Sequence, residues 1–254
     1  MSVQACAELV YKGDPARFRA VMAMPLPVRE VCFPIFAFAL EVARAPWVTQ
    51  EPMIAEMRLQ WWRDALEEIA EGGHLRRHEV VTPLADVLSP DQARRLDGLV
   101  AARRWDIYKE PFESPEHLED YLEATAGRLL WACAEAAGAP ESVRSAVIAV
   151  GWASGLARFL QAVPVLQARG RFPLLDPEDS GVRALATQGL VKLDQPGLAR
   201  AAGRAGAVLL EASDARAVLR CAQKAPVKVF QGALDVAPAT QAARLFWRSF
   251  RGWR

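Results

Sequence analysis

An all-α fold is predicted for this 254-residue chain by three features of its sequence. Apolar residues recur at spacings of three and four through most segments, the period of a helix that buries one face. Alternation of apolar and polar residues, the mark of a half-buried strand, never persists for more than a few positions. Proline, glycine and capping residues divide the chain at intervals suited to helices.

The elements follow in order. Asp14-Pro15 sets a capping carboxylate before a proline at the first helical position and opens a short helix through Met22. Pro25 and Pro27 end it. The next helix carries Val28, Val31, Cys32, Ile35, Ala39 and Val42 on one stripe, with a kink expected at Pro34. A long helix spans 52–71. Ile54, Met57, Trp61, Ala65 and Ile69 form one stripe there, and Leu59, Trp62 and Leu66 form its neighbour, so burial over much of the circumference is expected. Further helices are predicted at 91–109, 115–137, 141–168, 196–219, 226–236 and 239–253. Ser89-Pro90, Ser114-Pro115, Gly138-Ala139-Pro140, the stretch from Pro173 to Pro177, and Ala225-Pro226 separate them. There is no internal repeat and no Gly/Ser-rich linker, so 1–254 reads as one domain.

Composition sets limits on function. With 52% apolar and 24% charged residues the chain can bury a substantial core, which excludes disorder. A net charge of +1 gives no global attraction to nucleic acid. No apolar run reaches the ~20 residues of a membrane span. Met1 to Arg17 has neither the charged-then-apolar order of a secretory signal nor the Arg/Ser richness of a transit peptide. Cys6, Cys32, Cys133 and Cys221 are scattered and only three histidines are present, so no zinc site is expected. A reduced, cytoplasmic protein with free, mostly buried thiols is the expectation.

Two stretches carry a specific resemblance. One runs from Phe36-Ala37-Phe38 to Arg63-Asp64-Ala65-Leu66, around Arg58-Leu59-Gln60-Trp61-Trp62. The other runs from Gly151-Trp152-Ala153 to Gly170-Arg171-Phe172-Pro173-Leu174. Tyr121 with Ala126-Gly127, and Trp105-Asp106-Ile107 before it, complete the pattern. Together they resemble the squalene/phytoene synthase family, from about residue 15 to about residue 235. The resemblance implies an isoprenoid-synthase-like bundle of about ten helices around a central cavity, with Ala43 and Ala162 on facing helices.

Active members of that family condense two prenyl diphosphates head to head, using Mg²⁺ held by two aspartate-rich motifs. Counted from Phe36, the first motif's acidic positions hold Ala43, Arg44 and Trp47 here. Those of the second hold Ala162 and Leu166, in the run Arg158, Phe159, Leu160, Gln161, Ala162. Mg²⁺ needs oxygen ligands at ~2.0–2.1 Å, which alkyl and indole groups cannot supply. Neither Mg²⁺ nor any other cofactor is therefore expected, and no residue is assigned a catalytic role. Glu41 adjoins the first motif but points away from the Ile35/Ala39/Ala43 face on a helical wheel, so it is not expected to replace the lost carboxylates.

The remaining candidates bind rather than react. Arg44, Arg158 and Arg171, with Tyr121, are candidate binding residues for a diphosphate or carboxylate without metal. Arg58 and Arg103 fall inside apolar arcs and call for buried acidic partners, with Asp106, Glu41 and Glu56 nearest in sequence. The favoured expectation is that these arginines tie helices together, that Tyr121 is core, and that Gly151 and Gly155 permit close packing, with the anion site as the alternative. At the C-terminus, Ala242, Ala243, Phe246, Trp247, Phe250 and Trp253 share one face of a helix, while Arg244, Arg248 and Arg251 share the other. Docking of the aromatic face on the bundle, with the arginines in solvent, is the expectation.

The chain also resembles a branch of the family that lacks the aspartates, shares the Ala37-Phe38…Glu41 run, and includes assembly factors for respiratory complex I. That likeness implies an inactive scaffold with a respiratory-complex or other protein partner, cytoplasmic and peripheral on the inner membrane of a bacterium. Two alternatives remain open: a prenyltransferase of unusual chemistry, and a carrier of an isoprenoid or lipid in the former substrate cavity.

Overall fold

The computed structural model describes residues 2–250, and among these every regular element is helical. α1 (Val3–Gly13) turns its Cys6/Val10 side onto α3 (Leu26–Arg44), with α2 (Pro15–Met22) between them in sequence. Asp14 caps α2 by accepting the Arg17 N–H at 2.9 Å, and Pro15 occupies the first turn. On α3, Val28, Cys32, Ile35, Ala39 and Val42 are all buried, as their spacing predicts, and Pro34 lies inside the helix. α4 (Pro52–Glu71) has the predicted bounds.

α5 (Val81–Ala85) and α6 (Pro90–Ala102) follow, with a 3₁₀ turn (Arg103–Asp106) completing the predicted 91–109 segment. α7 (Pro115–Leu122) and α8 (Arg128–Ala136) are joined through a π-helical turn (Glu123–Gly127). α9 (Arg144–Ala168) is long and apolar enough to cross a membrane, yet most of it is buried as the central helix of the bundle. It packs on the π-turn, α8, α10 (Asp179–Lys192) and α12 (Ala215–Lys224). Gly151 and Gly155 make that approach possible. A Cβ at 151 would lie 2.8 Å from the Ala126 carbonyl oxygen, and one at 155 would lie 2.4 Å from the Ala126 Cβ.

The predicted helix at 196–219 is instead α11 (Leu198–Ala201), a 3₁₀ stretch (Gly203–Ala212) and then α12. The segment 226–236 forms only the short α13 (Val227–Phe230), and α14 (Pro238–Phe250) closes the described chain.

Two expectations about exposure are reversed. The first half of α4 packs on the bundle through Ala55 and Leu59 but turns its other side to solvent, so Ile54 and Met57 are exposed and Arg58 with them, needing no buried acidic partner. α14 docks through Gln241 and Leu245, with Arg244 paired to Asp214 at 2.8 Å and Arg248 half-buried, whereas Phe246 and Trp247 face outward. The Phe250 side chain, Arg251 and Trp253 lie outside the described residues.

Candidate functional site

A cavity of about 470 Å³ opens between α3, the α7–α8 segment and α9, with the start of α2 at one end. Ala43 and Ala162 both line it, the facing placement the resemblance implies. Its walls are Ala39, Leu40, Leu122, Ala126, Phe159 and Leu166, interrupted by two clusters of charge.

The first cluster joins three distant parts of the sequence. Arg158 on α9 donates to Asp14 at 2.8 Å and pairs with Glu211 at 3.0 Å. Arg17 pairs with the same two carboxylates, at 3.3 and 3.1 Å, and lies over the Phe36 ring. Ser154 donates to Glu211 at 2.8 Å. Two guanidinium groups and two carboxylates therefore neutralise one another. Burial acts to raise the Asp14 carboxyl, but Arg158 and Arg17 outweigh it and bring it down to about 2. Glu211, fully enclosed, is likewise held below its ordinary value by the same two arginines against the pull of burial.

The second cluster lies across the cavity. Arg103 donates to Asp106 at 3.0 Å and to the Tyr121 hydroxyl at 2.8 Å, and Tyr121 donates on to Asp106 at 3.1 Å. Burial, ahead of the neighbouring Asp106 charge, pushes the phenol above its usual range, so Tyr121 keeps its proton and serves as a hydrogen-bond donor to this carboxylate. Trp105, Phe112 and Phe159 surround it, with Trp105 and Phe112 stacked at 4.0 Å.

Trp47, at the third acidic position of the first motif, has the guanidiniums of Arg169 and Arg171 over its ring at 4.6 and 4.8 Å. Cation–π contacts thus link the end of α9 to the segment after α3. Arg171 is buried and donates to the backbone carbonyls of Trp105, Tyr108 and Asp106.

The candidate binding residues are therefore not gathered on one ligand. Arg158 and Tyr121 line the cavity, but their polar atoms are engaged by protein partners. Arg171 is saturated by carbonyls behind the wall. Arg44, one residue beyond Ala43 and so about 100° further round the helix, is mostly exposed and pairs with Glu41 at 3.4 Å. In this placement Arg44, Arg158 and Arg171 each meet different protein partners and are not brought together around one space. The sequence reading missed Arg17 and Glu211. The lone carboxylate in the apolar run Ala205–Ala212 was the signal that Glu211 needs a buried partner.

The same geometry tests the metal that the family's fold implies. Ala43, Trp47, Ala162 and Leu166 offer no oxygen. The lining carboxylates, Asp14 and Asp106, are each already engaged by arginine. The residues present do not fit Mg²⁺, and among the described residues no group of three or more His, Cys, Asp or Glu is placed to hold a metal.

The first cluster makes stability depend on acid. A carboxylate whose folded value is depressed contributes stability above its unfolded value and loses it as pH falls through the folded one. Asp14, falling from 3.8 to about 2, accounts for on the order of 2 kcal/mol, and Glu211 adds in the same direction. Urea midpoints are expected to be flat at neutral pH and to fall between about pH 4 and 2, with Asp14→Asn removing part of that slope. An unchanged slope in Asp14→Asn would show that its carboxyl titrates normally.

Solved structures share this architecture. A dehydrosqualene synthase in complex with ligand matches with a TM-score of 0.69 at 16% identity, covering 96% of this chain and 94% of that one. Squalene synthase HpnC from Alicyclobacillus acidocaldarius matches at 0.64 and 18% identity, covering 91% and 94%. At such identities the likeness is one of fold. The squalene/phytoene synthase family model matches residues 10–248, and the chain belongs to that family. Its curated relatives include the Drosophila melanogaster homolog of NADH dehydrogenase (ubiquinone) complex I, assembly factor 6, 31% identical over 68% of this chain and 54% of the relative. The Homo sapiens assembly factor 6 is 26% identical over 63% and 48%. The chain spans about half the length of these relatives.

Proposed function

We propose that this chain is a non-catalytic member of its family that serves as an assembly or scaffold factor for respiratory complex I, cytoplasmic and peripheral on the inner membrane. The observation that carries this reading is the cavity itself, where the acidic positions of the two motifs have become Ala43, Arg44, Trp47, Ala162 and Leu166 and the remaining carboxylates are neutralised internally. Of the arginines that line it, Arg17, Arg103 and Arg158 are bound to carboxylates and Arg169 lies over the Trp47 ring, so no set of free cations is gathered for a departing diphosphate in place of metal. The relatives named complex I assembly factor 6 support the partner.

A second reading, an isoprenoid or lipid carrier, is favoured by the apolar wall that survives around Leu40, Phe159 and Leu166. Purified protein with labelled farnesyl diphosphate and excess Mg²⁺ is expected to give no turnover above a heat-inactivated control, and sustained turnover would overturn the non-catalytic reading. Affinity capture of the intact protein from membranes is expected to bring down complex I subunits. Bound lipid without those subunits would favour the carrier instead.

A further inference from the structure

Outside the central cavity, a second pocket of about 440 Å³ lies where the segment Leu193–Arg200 meets α12 and α14. Its floor is apolar, formed by Val150, Leu198, Leu209 and Ala212. Three guanidinium side chains line it, from Arg200, Arg216 and Arg248, each on a different helix. No carboxylate is among the lining residues. The nearest acids compensate poorly: Asp194 is largely exposed and stands 3.8 Å from Arg216, and Asp214 is engaged by Arg244 at 2.8 Å.

We infer that this pocket binds a phosphate ester, with Arg200, Arg216 and Arg248 holding the phosphate and the apolar floor meeting the esterified group.

The contrast with the central cavity carries the argument. There, two arginines meet two carboxylates and the charges cancel, as expected of structural arginines. Here three arginines line one pocket whose nearby acids lie outside it, Asp194 at 3.8 Å from Arg216 and Asp214 engaged by Arg244, an arrangement whose repulsion an entering anion would relieve. Arg248 is consistent with that repulsion: burial first, then the neighbouring Arg216, holds it below its ordinary value, with Asp214 acting against them. Guanidinium groups present paired N–H donors that match phosphate oxygens. The volume suits a small ligand of this class. Neither the family's reaction nor the scaffold reading uses this pocket, which is lined by residues other than those of the central cavity.

The test uses the full chain, with glycerol 3-phosphate as soluble probe and phosphatidylcholine vesicles with or without phosphatidic acid as membrane probe, at fixed ionic strength. Calorimetric titration and vesicle co-sedimentation are the readouts. Arg216→Gln with Arg248→Gln is expected to weaken binding by about tenfold or more, since each charge-assisted hydrogen bond contributes ~1.5–3 kcal/mol. Arg200→Gln, at an exposed position, keeps the test valid if the double variant folds poorly. Arg220→Gln, exposed and outside the pocket, is expected to bind as the parent does. Saturable binding of glycerol 3-phosphate, lost in the pocket variants, assigns a soluble ester. Binding only to vesicles with phosphatidic acid, lost in the same variants, assigns a lipid headgroup. Binding to neither probe, or equal weakening in Arg220→Gln, overturns the inference.

Discussion

Arg158→Ala is expected to destabilise the folded chain by about 3–5 kcal/mol, the range for removing one partner of a buried ion pair. Arg158 reaches both Asp14 and Glu211 from α9, and Ser154 on the same helix donates to Glu211 as well. Without the guanidinium, two buried carboxylates share Arg17 alone and their mutual repulsion is uncompensated. Against a typical total of ~5–15 kcal/mol the loss is large, and urea denaturation would show it as a much lower midpoint with a similar slope. Arg158→Met combined with Glu211→Leu is expected to recover most of it, because one charge of each sign leaves together and Arg17 stays paired with Asp14. Arg58→Ala, at an exposed position, is expected to change stability by no more than about 0.5 kcal/mol. The comparison separates two kinds of arginine. One held ready for a ligand costs little to remove, and one neutralising buried acids costs a great deal. A normal midpoint in Arg158→Ala would mean the cluster is solvated and would restore Arg158 as a ligand-binding group.

The helices that build the cavity were legible because their faces are patterned locally. α3 shows its buried side through five residues at helical spacing, and α4 has clear bounds between Pro52 and Gly72. The motif positions then placed Ala43 opposite Ala162. α1 was not read, since its buried side consists of little more than Cys6 and Val10. α10 was obscured by Gly181 and Gly189 within it. Gly189 is there because a Cβ would come within 2.8 Å of Leu219. The charge clusters were beyond any local reading. Asp14, Arg158 and Glu211 are separated by well over a hundred residues and by more than fifty, and no periodicity reports which distant acid meets which arginine. Arg103 was identified as needing an acid, and Asp106, three residues on, supplies it. Arg58 failed the same reasoning because periodicity shows which side of α4 is apolar, not where the bundle stops covering it.

On α14, Leu245→Ala is expected to cost about 2–5 kcal/mol, whereas Phe246→Ser with Trp247→Ser is expected to cost no more than about 0.5 kcal/mol. The sequence points the other way, since the larger side chains lie on the aromatic stripe. The structure turns the helix so that Leu245 is only 4% exposed, while Phe246 and Trp247 are 65% and 56% exposed. Three polar contacts fix that rotation. Gln241 accepts from Arg19 at 2.5 Å and donates to the Ala16 carbonyl at 3.3 Å, and Arg244 reaches Asp214. Leu245 and this framework hold the helix with both rings mostly exposed. Exposed aromatic rings suit a membrane interface, where an apolar body and a polar surrounding are both satisfied. The peripheral location proposed above therefore predicts a division of labour between the two faces. The Leu245 variant should lower the urea midpoint at every lipid composition. The Phe246/Trp247 variant should keep the parental midpoint and lose much of its co-sedimentation with anionic vesicles. If the double aromatic variant instead unfolds as readily as Leu245→Ala, the stripe is packed on protein, and the rotation of α14 described here is wrong.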